Sequence, residues 1–513
     1  MKKILSAILC IVMVAGILTG CATANAQQIS QQEEPAVSQK LAAQSKSAKA
    51  PKYIFMFIGD GMSFAQVNSA QIYEGNNTKG EVGLNLVNFT QFPIAGIATT
   101  QDSTSFAPDS ASTATSLACG IKTHSGTIGL ETDKTTVAPI ITELLKKQKN
   151  MKIGVISNVT LNHATPAAYY AHAASRNNYY DIAMQMADSG FDFFGGGTIN
   201  KATGADKDQK NAFAVLEEKG YEVADTKEEI LALNNKSGKA YALSPVLQDS
   251  GAMPYAIDTK EDDLQLADFV KKGIDVLDNR NGFFLMTESG KIDWAAHAND
   301  AKSVITDVLA FEDAIQVALD FAEKHPSETL IIVTGDHETG GMSIGYAATG
   351  YNTAFDILDQ QKMSYVAFNE LISSMKEESD DLKFEDVMPV ITENFGLVAP
   401  NGIDEESLGQ DVNPLEMTES EYKKLQQGFE ESMKEEKSDS DDAYLLYGGY
   451  NPLSVTLTHI INNKAGIGWT SYSHTGVPVA VYAVGAGAEK FSGSYDNTDV
   501  FEKLAEVTKI NTK

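Results

Sequence analysis

Residues 53–61 read Tyr-Ile-Phe-Met-Phe-Ile-Gly-Asp-Gly, an apolar run that ends on an aspartate between two glycines. The run is too short for a stable helix and has no polar alternation, so it reads as a strand covered on both faces. The pattern recurs. Phe283–Thr287 leads into Glu288-Ser289-Gly290, and Thr329–Thr334 leads into Gly335-Asp336-His337. Lys152–Ser157 and Val477–Val484 are further strand-length runs, with His474 just ahead of the last. Amphipathic stretches such as Ala138–Lys147 and Ala301–Ala322 lie between them. Strands alternating with helices predict an α/β fold, a doubly wound and mostly parallel central sheet flanked by helices.

In such a sheet, ligands bind outside the carboxyl ends of the strands. Three runs then deliver Asp60, Glu288 and Asp336 to one edge. Carboxylates gathered there repel one another, and divalent cations relieve that. Asp293 and His297 are spaced i, i+4, which puts both on one face of a helical turn, able to chelate one ion. Asp336-His337 is a second carboxylate–imidazole pair, and His474 is a further imidazole. Mixed His and Asp ligands favour zinc, whereas oxygen-only sets favour magnesium.

A nucleophile candidate is Ser110, in Asp109-Ser110-Ala111-Ser112-Thr113-Ala114-Thr115-Ser116-Leu117-Ala118-Cys119-Gly120. The small residues suit a tightly packed helix with Ser110 near its N-terminus, where an alkoxide and an anionic ligand are favoured. Alone, this serine reads as a helix cap; a neighbouring metal would lower its hydroxyl pKa and make it a nucleophile. No G-x-S-x-G elbow surrounds it, which argues against an esterase triad.

The chain has 513 residues and 69 acidic against 40 basic side chains, for a net charge of −29. That excludes nucleic acid as an expected partner, because phosphate backbones require dense Lys and Arg. A free anionic substrate would be repelled too, unless cations sit in the site. The chain holds only Arg176 and Arg280 as arginines, so any bidentate anion clamp uses one of them. Residues 373–444 carry 21 acidic and 6 basic residues, yet include helix-like pieces at Lys383–Phe395 and Thr418–Lys434. Residues of about 346–452 therefore read as an acidic, partly helical insertion with a solvated face. Gly195-Gly196-Gly197 reads as a tight loop, and Cys119 as a small buried residue.

The N-terminus reads as an export signal, with Lys2 and Lys3 before a hydrophobic run from Ile4 to Leu18. It closes on Leu18-Thr19-Gly20-Cys21, which resembles the lipobox of bacterial lipoproteins. Residues 1–20 are thus expected to be a removed signal peptide. Lipidated Cys21 would anchor an exported protein to a membrane of the cell envelope, and residues 21–50 would form a flexible tether. Cys10 leaves with the signal, so no internal disulfide is expected.

The motifs together resemble the alkaline phosphatase family. The matching stretches are Gly59-Asp60-Gly61-Met62, the block at Asp109-Ser110-Ala111, and Gly120-Ile121-Lys122-Thr123 through Gly126-Thr127-Ile128-Gly129. They continue with Asn162-His163-Ala164-Thr165-Pro166, Arg176, Glu288-Ser289-Gly290, Ile292-Asp293 with His297, Gly335-Asp336-His337 and His474-Thr475-Gly476. The resemblance implies two Zn2+ and one Mg2+. Asp293, His297 and His474 would hold one zinc, and Asp60, Asp336 and His337 the other, beside Ser110. Asp60, Thr165 and Glu288 would hold magnesium, and Arg176 would clamp the phosphoryl oxygens. Two positions depart from the best-studied bacterial pattern. His163 stands where many members have Asp, and Trp294 stands where that pattern has Lys. The resemblance places both beside the magnesium site and phosphate, with His163 behind the metal ligands.

The expected activity is hydrolysis of small phosphate monoesters through a phosphoserine. A phosphodiesterase or another hydrolase of the same superfamily is the alternative; the C-x-P-x-R motif of sulfatases is absent. A lipid-anchored phosphate-binding protein without turnover is the non-enzymatic alternative. The sequence leaves a homodimer open.

Overall fold

The computed structural model describes residues 50–79, 82–379, 381–401, 413–434 and 440–512. The signal peptide 1–20, Cys21 and the tether up to residue 49 lie outside the described residues. Among the described residues, fourteen strands run β1 (Tyr53–Gly59), β2 (Ile94–Thr99), β3 (Lys152–Ser157), β4 (Phe193–Gly196), β5 (Tyr221–Ala224), β6 (Lys239–Leu243) and β7 (Phe283–Ser289). They continue with β8 (Thr329–Gly335), β9 (Glu338–Thr339), β10 (Ser343–Ile344), β11 (Ile467–Gly468), β12 (His474–Thr475), β13 (Val479–Gly485) and β14 (Gly493–Asp496). Ten of them form one sheet in the order β14-β2-β13-β8-β1-β7-β3-β4-β6-β5.

The opening run is the centre of this sheet. All seven residues of β1 are buried. Their alternation splits them between two cores, because successive side chains of a strand point to opposite faces. Tyr53, Phe55 and Phe57 join one core with Phe283, Phe311 and Phe321. Ile54, Met56 and Ile58 join the other with Ala111, Ala114 and Leu117. Each large apolar side chain so buried contributes about 1.5–3 kcal/mol. The helix Ala301–Lys324 covers the first face and the tightly packed helix Ser110–Cys119 the second, both where the sequence places helices.

β1 pairs in parallel with β7 and β8, so Gly59 lies level with Ser289 and with Gly335. This register brings Asp60 and Asp336 level with each other just past their strands, with Glu288 two positions back at the end of β7, all on one edge. The exception to the parallel sheet is β13, which runs antiparallel to both β8 and β2. Its reversal matters: the N-terminal end of an antiparallel strand lies beside the carboxyl ends of its neighbours. The residues preceding β13 therefore reach the ligand edge, and the two-residue ladder of β12 on β9 pairs His474 with Thr339.

Several strands lie outside the sequence expectation. β2 alternates exposed and buried residues, and β4, β5 and β6 are only four or five residues long. Gly195 and Gly196, expected in a loop, close strand β4 instead. Gly196 has φ +123°, and a Cβ there would collide with the Ser157 carbonyl of the adjacent strand. Cys119 is buried as expected.

The ladder of β10 with β11 closes the base of a helical layer. Helices Tyr365–Glu378, Phe384–Phe395 and Glu419–Ser432 fold there on a small core that includes Phe368, Ile391, Phe395 and Phe429. Thr418 caps the last of these through a reciprocal capping box with Glu421. Among the described residues, no helix is long and apolar enough to cross a membrane.

Candidate active site

Three clusters of ligating groups form at the carboxyl edge of β1, β7 and β8: Asp293, His297 and His474; Asp60, Asp336 and His337; and Asp60, His163 and Glu288. In the first, Asp293 and His297 sit one turn apart on the short helix Lys291–His297, which leaves the end of β7 through Gly290. His297 Nε2 lies 3.3 Å from Asp293 Oδ2, and His474 Nε2 lies 3.6 Å from Asp293 Oδ1. The two Nε2 atoms face each other at 3.0 Å. Both rings meet backbone carbonyls through Nδ1, His297 at Tyr472 O (2.6 Å) and His474 at Pro108 O (2.5 Å). A carbonyl can only accept, so each Nδ1 carries a proton and each Nε2 is turned into the cluster; the Nε2 proton that His297 holds beside Asp293 is the one a cation would displace. Two Nε2 atoms at 3.0 Å beside a carboxylate suit a cation between them, and the carbonyls supply the orienting bonds that metal-binding histidines use.

The second cluster has the same logic. The Thr339 hydroxyl donates to Asp293 Oδ1 at 2.5 Å and lies 3.3 Å from His337 Nδ1. With its proton committed to Asp293, that oxygen accepts from Nδ1, leaving the His337 Nε2 lone pair free. It faces Asp60 Oδ1 at 3.2 Å and Asp336 Oδ2 at 3.4 Å. Asp336 is held by the Gly61 and His337 amides and by the Thr113 hydroxyl. The His337 and His474 rings stack at 3.7 Å, joining the two clusters.

In the third cluster, the Ser157 hydroxyl donates to Glu288 Oε2, and Thr165 Oγ1 lies 3.3 Å from Asp60 Oδ2. Glu288 Oε1 and His163 Nδ1 are buried without a hydrogen-bond partner. Such orphaned polar atoms are costly in a dry interior, and their chemistry fits a divalent cation. The ring of His163 is nearer to this cluster than its expected place behind the ligands. His163 precedes the helical turn Ala164–Ala167, so it shares one bend with Thr165.

Burial raises the carboxyl pKa values: Glu288 to about 7, Asp336 to about 6 with Asp293 adding repulsion, and Asp60 well above the usual range. Asp293 goes the other way, because His297 and its companion imidazoles overcome the effect of burial. His297 is correspondingly raised to about 9: burial opposes its charge, but Asp293 outweighs it. Burial lowers both His337 and His474 to about 4, which keeps them neutral and able to ligate.

Ser110 is the first residue of its helix, and Asp109 rather than the serine caps it, accepting from the Ser112 amide. The serine hydroxyl is thereby free of capping. Its Oγ lies 3.1 Å from His337 Nε2 and 3.4 Å from Asp60 Oδ1. The other oxygen of Asp109 takes Arg176 Nη1 at 3.0 Å, and Arg176 Nη2 meets His163 Nε2 at 3.2 Å. A cleft of about 350 Å³ opens over these groups, lined by Ser110, His163, Arg176 and Trp294 together with Asp293, His297 and His474. Thr113, Ser157 and Thr339, with Asp109 as the arginine's partner, are the supporting groups that the sequence does not single out. Each is one hydroxyl or carboxyl near a motif, without a periodicity of its own.

Clustered lone pairs and buried carboxylates, with a hydroxyl and a guanidinium over them, belong to a metal-dependent hydrolase of a charged ester. The sequence signature described as Alkaline phosphatase matches residues 51–510. Alkaline phosphatase 3 of Bacillus subtilis (strain 168) is 30% identical over 475 residues, covering 90% of each chain. Among solved structures, the cold-active alkaline phosphatase of a psychrophilic Shewanella superposes with a TM-score of 0.71 at 27% identity, over 89% of this chain and 99% of that one. The Antarctic bacterium TAB5 supplies another relative, a histidine-to-glutamate variant of its alkaline phosphatase with magnesium bound in the M3 site. It has a TM-score of 0.60 at 26% identity, over 90% of this chain and 99% of that one. The chain belongs to the alkaline phosphatase family, and it is a metal-dependent phosphatase.

Proposed function

We propose that the protein hydrolyses phosphate monoesters to an alcohol and inorganic phosphate through a phosphoserine at Ser110. The observation that carries this is the Ser110 hydroxyl, free of capping at a helix N-terminus and 3.1 Å from the His337 Nε2 lone pair. Two Zn2+ suit the two His-and-Asp clusters, and Mg2+ suits Asp60, Glu288 and Thr165 beside His163. When bound, such cations lower the pKa of a hydroxyl or water and neutralise charge that develops on oxygen.

Ser110 Oγ releases its proton to solvent and attacks phosphorus in line, and the alcohol departs on the opposite side, taking a proton from solvent. Water then breaks the Oγ–P bond, restoring the serine and releasing phosphate. Arg176, held in the cleft by Asp109, offers its guanidinium to the equatorial oxygens. Trp294 puts an uncharged ring beside the site, which loosens its hold on product phosphate. His163 tunes the third position. TAB5 variants that hold magnesium carry Glu or Asp in place of a histidine, which supports His163→Asp as a way to strengthen Mg2+ here.

Acid quenching during turnover should trap phosphate on a peptide containing Ser110. Label on another residue, or none with wild-type turnover, would overturn the mechanism. A diesterase has less use for a dianion clamp, so a monoester should outpace its methyl diester; the reverse order would install the diesterase reading. Metal analysis, followed by chelation and separate return of Zn2+ and Mg2+, tests the ion assignment.

The lipobox-like Leu18-Thr19-Gly20-Cys21 supports export and membrane anchoring through lipidated Cys21. We read 51–513 as the catalytic domain, interrupted by an insertion at about 346–452. Loss of membrane fractionation in Cys21→Ser is the expected result.

A further inference from the structure

The catalytic cleft has a second wall that takes no part in the chemistry above. Asp249, Ser250, Tyr365 and Tyr450 line it beyond Trp294. We infer that this wall is a subsite for the alcohol half of the substrate, and that it selects phosphate monoesters whose alcohol carries an ammonium group. The inference rests on the monoesterase reading of the same cleft and adds the leaving group to it.

The wall is aromatic and anionic. Tyr450 and Tyr365 meet edge to face at 5.8 Å, and Tyr365 packs in turn on Tyr255 at 5.8 Å. Electron-rich ring faces attract organic cations, and a carboxylate among them adds direct charge complementarity. Asp249 supplies that carboxylate.

The wall already holds one ammonium. Lys291 Nζ lies 3.7 Å from the centre of the Tyr255 ring, 5.0 Å from that of Trp294 and 3.8 Å from Asp249 Oδ2. It has no hydrogen-bond partner; the rings face its charge, and the carboxylates of Asp249, Asp307 and Asp258 offset it. Its side chain is 0% exposed, whereas that of Asp249 is 26% exposed. The lysine therefore sits behind the wall and the carboxylate in front. At 3.8 Å the pair is longer than a hydrogen bond, and Asp249, which accepts from the Ser250 hydroxyl at 3.4 Å, can still turn its charge toward a ligand's cation.

Asp249 and Ser250 are consecutive non-glycine residues with φ of 39° and 59°. Conformations of this kind persist where surrounding structure holds them, and they cluster at ligand clamps. The Gln248–Ala252 bridge closes this turn. Tyr365 and Tyr450 come from the chain between β10 and β11, so the helical layer contributes directly to the catalytic cleft. Ser110 and Arg176 line the same cleft, and phosphate belongs beside them. A zwitterionic ester thus meets a guanidinium for its phosphate and a carboxylate among aromatic rings for its ammonium within one cavity of about 350 Å³.

The test compares phosphocholine with 3,3-dimethylbutyl phosphate, its isostere without the ammonium charge, on the metal-loaded full-length enzyme. We expect kcat/KM to favour phosphocholine roughly tenfold. Asp249→Asn should bring the ratio close to one. Tyr450→Leu should lower it about threefold, while Tyr450→Phe, which keeps the ring, retains it. A merely structural role would depress both esters together and leave the ratio unmoved. A wild-type ratio of one or less overturns the subsite, as does an unchanged ratio in Asp249→Asn. If neither monoester turns over while a diester does, the monoesterase reading fails instead. Should Tyr450→Leu not fold, choline inhibition of dimethylbutyl phosphate turnover by wild type and Asp249→Asn decides; equal inhibition of both sinks the idea.

Discussion

The carboxyl edge of β1, β7 and β8 and the helical layer between β10 and β11 are both rich in acid, and they handle it in opposite ways. At the edge, Asp60, Glu288, Asp293 and Asp336 are all at most 4% exposed and share three clusters with imidazoles. In the helical layer, Glu419 lies exposed in the first turn of its helix, where water screens it, and half-buried Glu421 closes the capping box with Thr418 and meets Lys464 Nζ at 3.1 Å. Acid in the layer is met by water, a helix cap or a single lysine, whereas acid at the edge requires cations or protons. The difference also dissolves an apparent conflict: a chain of net charge −29 can take an anionic ester, because the acids nearest the reacting centre belong to cation sites.

The strongest way to break this contrast is Ser110→Ala, which should lower kcat/KM by about 10³-fold or more while metal content and fold remain. Wild-type rates in that variant would remove the edge from the chemistry. Next is Thr339→Val, which deletes the hydroxyl between His337 and Asp293. Zinc affinity should fall about 10- to 100-fold in competition with a chelator.

A third, smaller effect concerns the metal-stripped protein. Glu288 and His297 hold protons in the folded state to about 7 and about 9, above their ordinary values. Raised groups stabilise the fold at low pH and lose that contribution as pH rises through the folded pKa. Between pH 6.5 and 8 the melting temperature of stripped protein should therefore fall by a few degrees, and zinc should restore most at pH 8. A stripped protein that gains stability over that window contradicts the electrostatic picture of the edge. The smallest effect belongs to the layer: Thr418→Ala removes a capping box and costs about 1 kcal/mol. Urea unfolding should register it while the zinc content stays constant.

The central strands were legible because burial on both faces leaves an uninterrupted apolar run, as at Tyr53–Ile58. β2 and β4–β6 were not, being half-exposed or only a few residues long. The ligand residues were legible as carboxylates at strand ends and as the Asp293/His297 spacing. The reversal of β13 was not, since strand direction is a property of the whole sheet. Nor were Thr339 and Ser157, whose roles arise from contacts across 46 and 131 positions of chain.

That reversed strand has a consequence for assembly. His474 meets His297 across 177 positions of chain, and it does so only when β12 lies on β9 and β13 has entered the sheet. A chain still lacking its last forty residues has Asp293 and His297 but no third ligand for their ion. A full ligand set at that cluster therefore exists only once the C-terminal segment has docked on the sheet.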